Sequence, residues 1–409
     1  MRNEAAREQP RNTRGARGRR LRRAARNVVI CWTLVVAPLA ILFVVGEIIC
    51  RFLFPDTRLR YVSDPEAMAH LAPNQVATME LASGLLGPPA RINRLGLRGP
   101  DPDSTRPHIL VLGDSFAFGW GVQDDETFSA RLHRWAGGSV SVVNGGHPGY
   151  GIFQMAATLR RVGEDLRPQL VTVVLWQGDF LRQPLDTAER TRFMQRQRLS
   201  QIVKTSVLAT HLYRRLERLL ARAGQDSLIF HVGEGRTNAQ ANTAGIRESY
   251  LRGMRADAPR LLAMHEEARR YGRGLLLVLW PKEDFANLPD AEHGLAQDLT
   301  MGLEAFARQN GIPFISVQPV MRQIQPKERL LIPNDSHPTP FAHCLAAERI
   351  AEALAGLDLP SFRSASCGSQ FSERCCIDAA AGEPMSDEVF DRSNVRNSRL
   401  SEGSNSVNQ

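Results

Sequence analysis

His108-Ile109-Leu110-Val111-Leu112-Gly113-Asp114-Ser115 is an apolar run that stops abruptly at Gly-Asp-Ser. Consecutive aliphatic side chains suit a strand covered on both faces, because a strand with one wet face alternates. Four more stretches share this form: SVSVVNGG (Ser139–Gly146), QLVTVVLWQGD (Gln169–Asp179), GLLLVLWP (Gly274–Pro281) and IPFISV (Ile312–Val317). Helical patterns separate them at Glu126–Trp135, Phe153–Val162, Pro259–Tyr271 and Leu303–Gln309. Strands alternating with helices predict a three-layer α/β/α domain around a five-stranded parallel sheet.

Open sheets of this kind bind ligands outside the carboxyl ends of their strands. Ser115 falls at such an end, with Gly113 upstream to allow a tight turn. Taken alone, Gly-Asp-Ser is also what a turn running into a helix cap looks like. The other strand ends decide the matter. The second closes in Asn144-Gly145-Gly146-His147-Pro148-Gly149, where glycines let backbone N–H groups approach a ligand. The third ends in Trp176-Gln177-Gly178-Asp179. After the fifth comes Pro333-Asn334-Asp335-Ser336-His337-Pro338, in a loop before a helical run. A histidine there can take a serine proton while a neighbouring carboxylate orients its ring.

These residues, in this order, resemble the SGNH (GDSL-type) hydrolases. The likeness extends over Ile92–Gly356, and the surrounding INRLGLRG (Ile92–Gly99) and FAFGWGVQDDETF (Phe116–Phe128) look like the single-span bacterial membrane members. The resemblance implies a flavodoxin-like strand order. It implies Ser115 as nucleophile and first oxyanion donor, the N–H of Gly146 as second donor, His337 as base and Asp335 as acid. Asp114, Asn144, Asp179 and Asn334 are expected to support them. Two departures from the family's pattern bear on the chemistry. The third block, Gly-x-Asn-Asp, places its asparagine donor on Gly178, leaving Gln177 or a backbone N–H to substitute. The usual Asp-x-x-His spacing points to Asn334, whereas the carboxylate is Asp335, one residue nearer His337. The implied activity is a serine esterase that needs no metal or organic cofactor. Its expected substrates are acyl esters, O-acetyl groups on envelope polysaccharide among them. Transfer of the acyl group to a sugar hydroxyl, or a non-catalytic glycan-binding role, are the alternatives.

The net charge of +8 is a local feature. Residues 1–27 hold ten arginines and two acids; taking these from totals of 51 and 43 leaves 41 bases and 41 acids, a neutral body. No nucleic-acid partner is expected from it. The arginines abut Val28–Gly46, nineteen residues without a charge, long enough to cross a hydrocarbon core. A basic flank stays on the cytoplasmic side, so residues 28–50 read as an uncleaved inner-membrane anchor, with the remainder periplasmic or extracellular. Residues 51–91 read as a stem, 92–357 as the hydrolase-like domain with a helical insertion at about 180–258, and 358–409 as a polar, disordered tail. Within the insertion, Leu199–Ala223 is basic and amphipathic. It suits a helix packed on the domain, a cap over the site, or a helix on the membrane surface. Cys367, Cys375 and Cys376 cluster near the C-terminus, where an exported chain could form a disulfide. The sequence leaves the oligomeric state open.

Overall fold

The structure is a computed structural model that describes residues 13–53, 58–82, 85–186, 188–193, 195, 205–222, 243–280, 290–324, 329–335, 337–357, 359 and 362. The clustered tail cysteines and nearly all of 358–409 lie outside these residues, as do residues 1–12 and parts of the insertion. The chain divides into two compact units, Met1–Asp56 with Gln195–Phe230, and Thr57–Met194 with His231–Gln409.

The first unit holds helix α1 (Thr13–Leu53). Its segment Ile30–Leu53 has a mean hydropathy of 2.5 with 0% of that surface buried, the composition of a candidate membrane span.

The second unit begins with two antiparallel hairpins, β1 (Tyr61–Asp64) with β2 (Met68–Leu71) and β3 (Gln75–Glu80) with β4 (Leu86–Ile92). Most of the described residues in the stretch read as a stem therefore lie in these strands. Their apolar positions, Leu71, Ala77, Met79, Ala90 and Ile92, close over Phe118. Then follow β5 (His108–Gly113), the short α2 (Ser115–Phe118), α3 (Phe128–Trp135), β6 (Ser141–Gly146), α4 (Ile152–Leu166) and β7 (Leu170–Leu175). Helix α5 (Val207–Arg222) belongs to the first unit. The second resumes with α6 (Thr243–Arg269), β8 (Leu275–Leu279), α7 (Asp290–Gln309), β9 (Phe314–Ser316), α8 (Gln318–Arg322) and α9 (Pro340–Gly356).

The sheet has five strands in the order β6-β5-β7-β8-β9, all parallel. The chain steps from β5 to β6 on one side and then crosses back to β7 on the other. That reversal is the switch point at which such folds leave a crevice. Both faces of β5 are buried: Ile109 and Val111 face α3 and α9, while Leu110 and Leu112 join the cluster with α4, α6 and α7. Two covered faces explain why the strand shows no polar alternation, with each buried aliphatic side chain contributing about 1.5–3 kcal/mol.

Cys31 and Cys50 carry free thiols. Cys344, buried in α9, is disulfide-bonded.

Candidate active site

Ser115 is the first residue of α2, directly beyond the end of β5. Asp114 caps that helix, its Oδ1 accepting the N–H of Phe116 at 2.8 Å. A cap of this kind satisfies one of the donors a helix start leaves open and fixes where the helix begins. It thereby fixes the serine. The neighbouring strand end presses close: a Cβ on Gly146 would stand 2.2 Å from the backbone N of Phe118, so only glycine fits.

His337 comes from a turn in which the N–H of Asp335 donates to the carbonyl of Ile332 at 3.0 Å and that of Ile332 to the carbonyl of His337 at 3.0 Å. The turn carries the imidazole to Ser115: Nε2 lies 2.9 Å from Oγ. Nδ1 bonds to Oδ1 of Asp335, which also accepts the backbone N–H of His337 at 3.1 Å. A carboxylate oxygen can only accept, so Nδ1 carries the ring proton and Nε2 is left to accept from the serine hydroxyl. The Ser115 hydroxyl has a second acceptor in reach, Oδ2 of Asp114 at 3.3 Å, but the imidazole is nearer.

Asp335 is held by more than the histidine. Its Oδ2 accepts the N–H of Ala82 at 2.7 Å, in the loop between β3 and β4. Burial opposes its charge, with 2% of the side chain exposed, yet the bonds from His337 and Ala82 outweigh burial and bring the carboxyl down from 3.8 to about 2. Asn334, where the family's spacing would put the acid, is an exposed residue at φ 56. Left-handed backbone of this kind is tolerated best by glycine and asparagine, so Asn334 serves the turn. Phe116 and Trp120 flank the imidazole, with ring centroids 6.0 and 5.9 Å away.

At the end of β6, Asn144 fastens two pieces of backbone. Its Oδ1 accepts the N–H of Gly146 at 2.9 Å and its Nδ2 donates to the carbonyl of Phe118 at 3.2 Å. The Gly146 N–H is thus engaged within its own strand end. At the end of β7, Gln177, Gly178 and Asp179 are buried in a 3₁₀ turn, Gln177–Leu181. A Cβ on Gly178 would lie 2.1 Å from Cζ2 of Trp176, so the indole covers this glycine. The indole in turn stacks on Phe116 at 5.6 Å with planes 7° apart.

The sequence reading did not single out Arg182. Its Nη1 donates to Oδ2 of Asp114 at 3.0 Å, to Oδ1 of Asp179 at 2.9 Å and to the carbonyl of Tyr150 at 2.9 Å. One guanidinium thus joins three strand ends. Burial and the charge of Asp114 push the Asp179 carboxyl well above its ordinary value, against the pull of Arg182. Arg182 stands three residues beyond Asp179, a spacing that could have flagged the pair. Ala82 carried no signal at all, since it contributes only a backbone N–H.

Residues 111–344 match the family model described as the GDSL-like lipase/acylhydrolase family. Among solved structures, that of TesA matches with 16% identity over 61% of this chain and 99% of that one, at a TM-score of 0.36. A member of the lipolytic G-D-S-L family from Veillonella parvula matches with 12% identity over 60% and 96%, at 0.33. The acetylxylan esterase Axe2 from Geobacillus stearothermophilus matches with 13% identity over 61% and 94%, at 0.33. No curated protein matches the sequence.

Proposed function

The chain belongs to the GDSL-like lipase/acylhydrolase family and is a hydrolase of ester bonds, and from that premise we propose that it is a membrane-anchored serine esterase working outside the cytoplasm by way of an acyl-enzyme. The observation that carries the reading is the 2.9 Å reach between Ser115 Oγ and His337 Nε2, with Asp335 on the other ring nitrogen. As Ser115 Oγ bonds to the ester carbonyl carbon, its proton passes to Nε2. Asp335 stabilises the imidazolium that results. The N–H of Ser115, at the open start of α2, is the oxyanion donor; Gly146 could add a second on exchanging its bond to Asn144. Collapse of the tetrahedral adduct breaks the bond to the alcohol oxygen, which leaves with the proton from Nε2. Water then repeats the cycle, losing a proton to Nε2 and releasing the acid and free Ser115.

We assign small acyl esters as substrates, O-acetyl groups on envelope polysaccharide included. The apolar helix Ile30–Leu53 behind an arginine-rich flank supports a single span with its N-terminus inside. The disulfide at Cys344 supports an oxidising compartment for the second unit.

The test is hydrolysis of p-nitrophenyl acetate by the full-length chain in detergent. Ser115→Ala and His337→Ala are each expected to lower kcat/KM at least ~10³-fold. Equal rates for Ser115→Ala and the parent would refute the assignment. The covering of Gly178 by Trp176 favours one other reading, a non-catalytic glycan binder. That reading requires both proteins to be inert while polysaccharide binding persists.

A further inference from the structure

The apolar segment of α1 ends with a charge in it, Glu47. A carboxylate at that depth is costly unless its oxygens are met, and here they are. Oε2 accepts the Ser206 hydroxyl at 2.7 Å and the N–H of Leu208 at 2.9 Å, while Oε1 accepts the N–H of Val207 at 3.0 Å and Nε of Arg51 at 2.7 Å. Arg51 also donates from Nη2 to the carbonyl of Thr205 at 3.1 Å. Glu47 therefore caps the start of α5 and fastens it to the outer end of α1.

What α5 then presents follows from helical geometry. Leu208, Leu212 and Leu216 recur at four-residue steps, one edge of the helix. The edge begins on α1, where Leu208 Cδ2 lies 3.0 Å from the place a Cβ on Gly46 would take. It then runs into the open, Leu212 being 58% and Leu216 50% exposed. The exposed leucines thus continue the uncovered apolar surface of α1, whose Leu42 is 67% exposed. Sixteen residues that include Arg214, Arg215, Arg218 and Arg222 form a helix too short and too charged to cross a bilayer. A helix with one leucine edge and several arginines, tied to the end of a span, has the makeup of one that lies in the membrane plane.

We propose that α5 is an interfacial helix, docked on the outer surface of the lipid bilayer with its Leu212–Leu216 edge among the acyl chains and its arginines at headgroup level. The proposal rests on α1 being the anchor, so the experiment reads both. Full-length protein carrying the photocrosslinker p-benzoylphenylalanine at position 42, 212, 214 or 216 is reconstituted into vesicles of equal parts phosphatidylethanolamine and phosphatidylglycerol. Irradiated samples are scored by mass spectrometry for lipid adducts. Position 214 lies roughly 160–200° around the helix from the two leucines and serves as the comparison. The expected result is lipid adduct at 42, 212 and 216, with at least about fivefold less at 214. Adduct at 42 with 212 and 216 no higher than 214 overturns the inference and leaves the anchor standing. Crosslinks from 212 or 216 to a second copy of the chain, in place of lipid, overturn it as well. Absence of adduct even at 42 overturns the anchor reading and the inference together.

Discussion

A carbon placed on Gly178 would stand 2.1 Å from Cζ2 of Trp176, well inside any real contact. The third block of the family carries glycine and asparagine where this chain has Trp176 and Gly178, so bulk has moved from one position to the other. Restoring the asparagine by itself should fail. Gly178→Asn is expected to lower both thermal stability and esterase rate, and Trp176→Gly/Gly178→Asn to recover part of both, because the indole no longer competes for the space. The coupling is read from a double-mutant cycle in Tm and kcat/KM. Asp335 offers a second test at this scale. Asp335→Asn should lower kcat by ~10²–10⁴-fold, since an amide cannot stabilise the imidazolium. Asn334→Asp/Asp335→Asn should remain as slow, because Asn334 is an exposed turn residue at φ 56. A return to the parent rate would show that the family's spacing can still operate here. The Asp335 carboxyl also predicts a pH dependence. Its folded-state value is depressed to about 2 from 3.8, so its contribution to stability is complete above 3.8 and is lost as the pH falls toward 2. Denaturant midpoints across that window should converge for the parent and Asp335→Asn as the solution becomes more acidic.

Helix α2 has one turn, too little to hold Ser115 in place by its own hydrogen bonds, and other elements supply the support. Arg98 is the largest contributor. Its side chain is 1% exposed, and it donates to the carbonyls of Phe118 at 2.8 Å and Val122 at 2.7 Å, to that of Gly119, and to Asp124 at 2.8 Å. Its guanidinium also lies 4.7 Å above the ring of Phe118. Burial pulls its pKa down and the charge of Asp124 holds it up. Arg98→Ala would strand the carbonyl of Val122 and leave those of Phe118 and Gly119 to Asn144 and the Val122 N–H, and the expected loss is about 3 kcal/mol in chemical denaturation. Arg98→Lys should recover only part of that, since an ammonium lacks the planar fork that reaches several acceptors at once. The strands themselves were legible in the sequence, because burial on both faces makes apolar runs that end at turn residues. The two hairpins before Ile92 were not. Their strands are only four to seven residues long, and β4 contains Pro88 and Pro89, which mask a strand signal. The same blind spot hid the support for Asp335, because the Ala82 N–H comes from the loop joining β3 and β4.

Across the whole chain, the charges sort by position, with the excess of arginine confined to residues 1–27 and the rest balanced. The long apolar helix was visible for the same reason, since nineteen uncharged residues need no tertiary context to be noticed. Ser115, Asp335 and His337 could be nominated because their residue types are chemically specific and they stand beside predicted strand ends. For Arg182 only the spacing from Asp179 was visible, because its bonds to Asp114 and Tyr150 depend on which strand ends the fold brings together. Cys344 also needed the fold, having no neighbour in sequence that marks it as paired. Peptide mapping of unreduced protein in denaturant should leave Cys344 unalkylated until reductant is added, while Cys31 and Cys50 react at once. Ready alkylation of Cys344 without reductant would remove the support it lends to an oxidising compartment. The most direct trial of the account is covalent labelling of the full-length protein with a fluorophosphonate, followed by peptide mass spectrometry. A single adduct is expected, on Ser115, forming at least ~100-fold more slowly in His337→Ala. An adduct on another residue, or an unchanged rate on Ser115 without the imidazole, would contradict it.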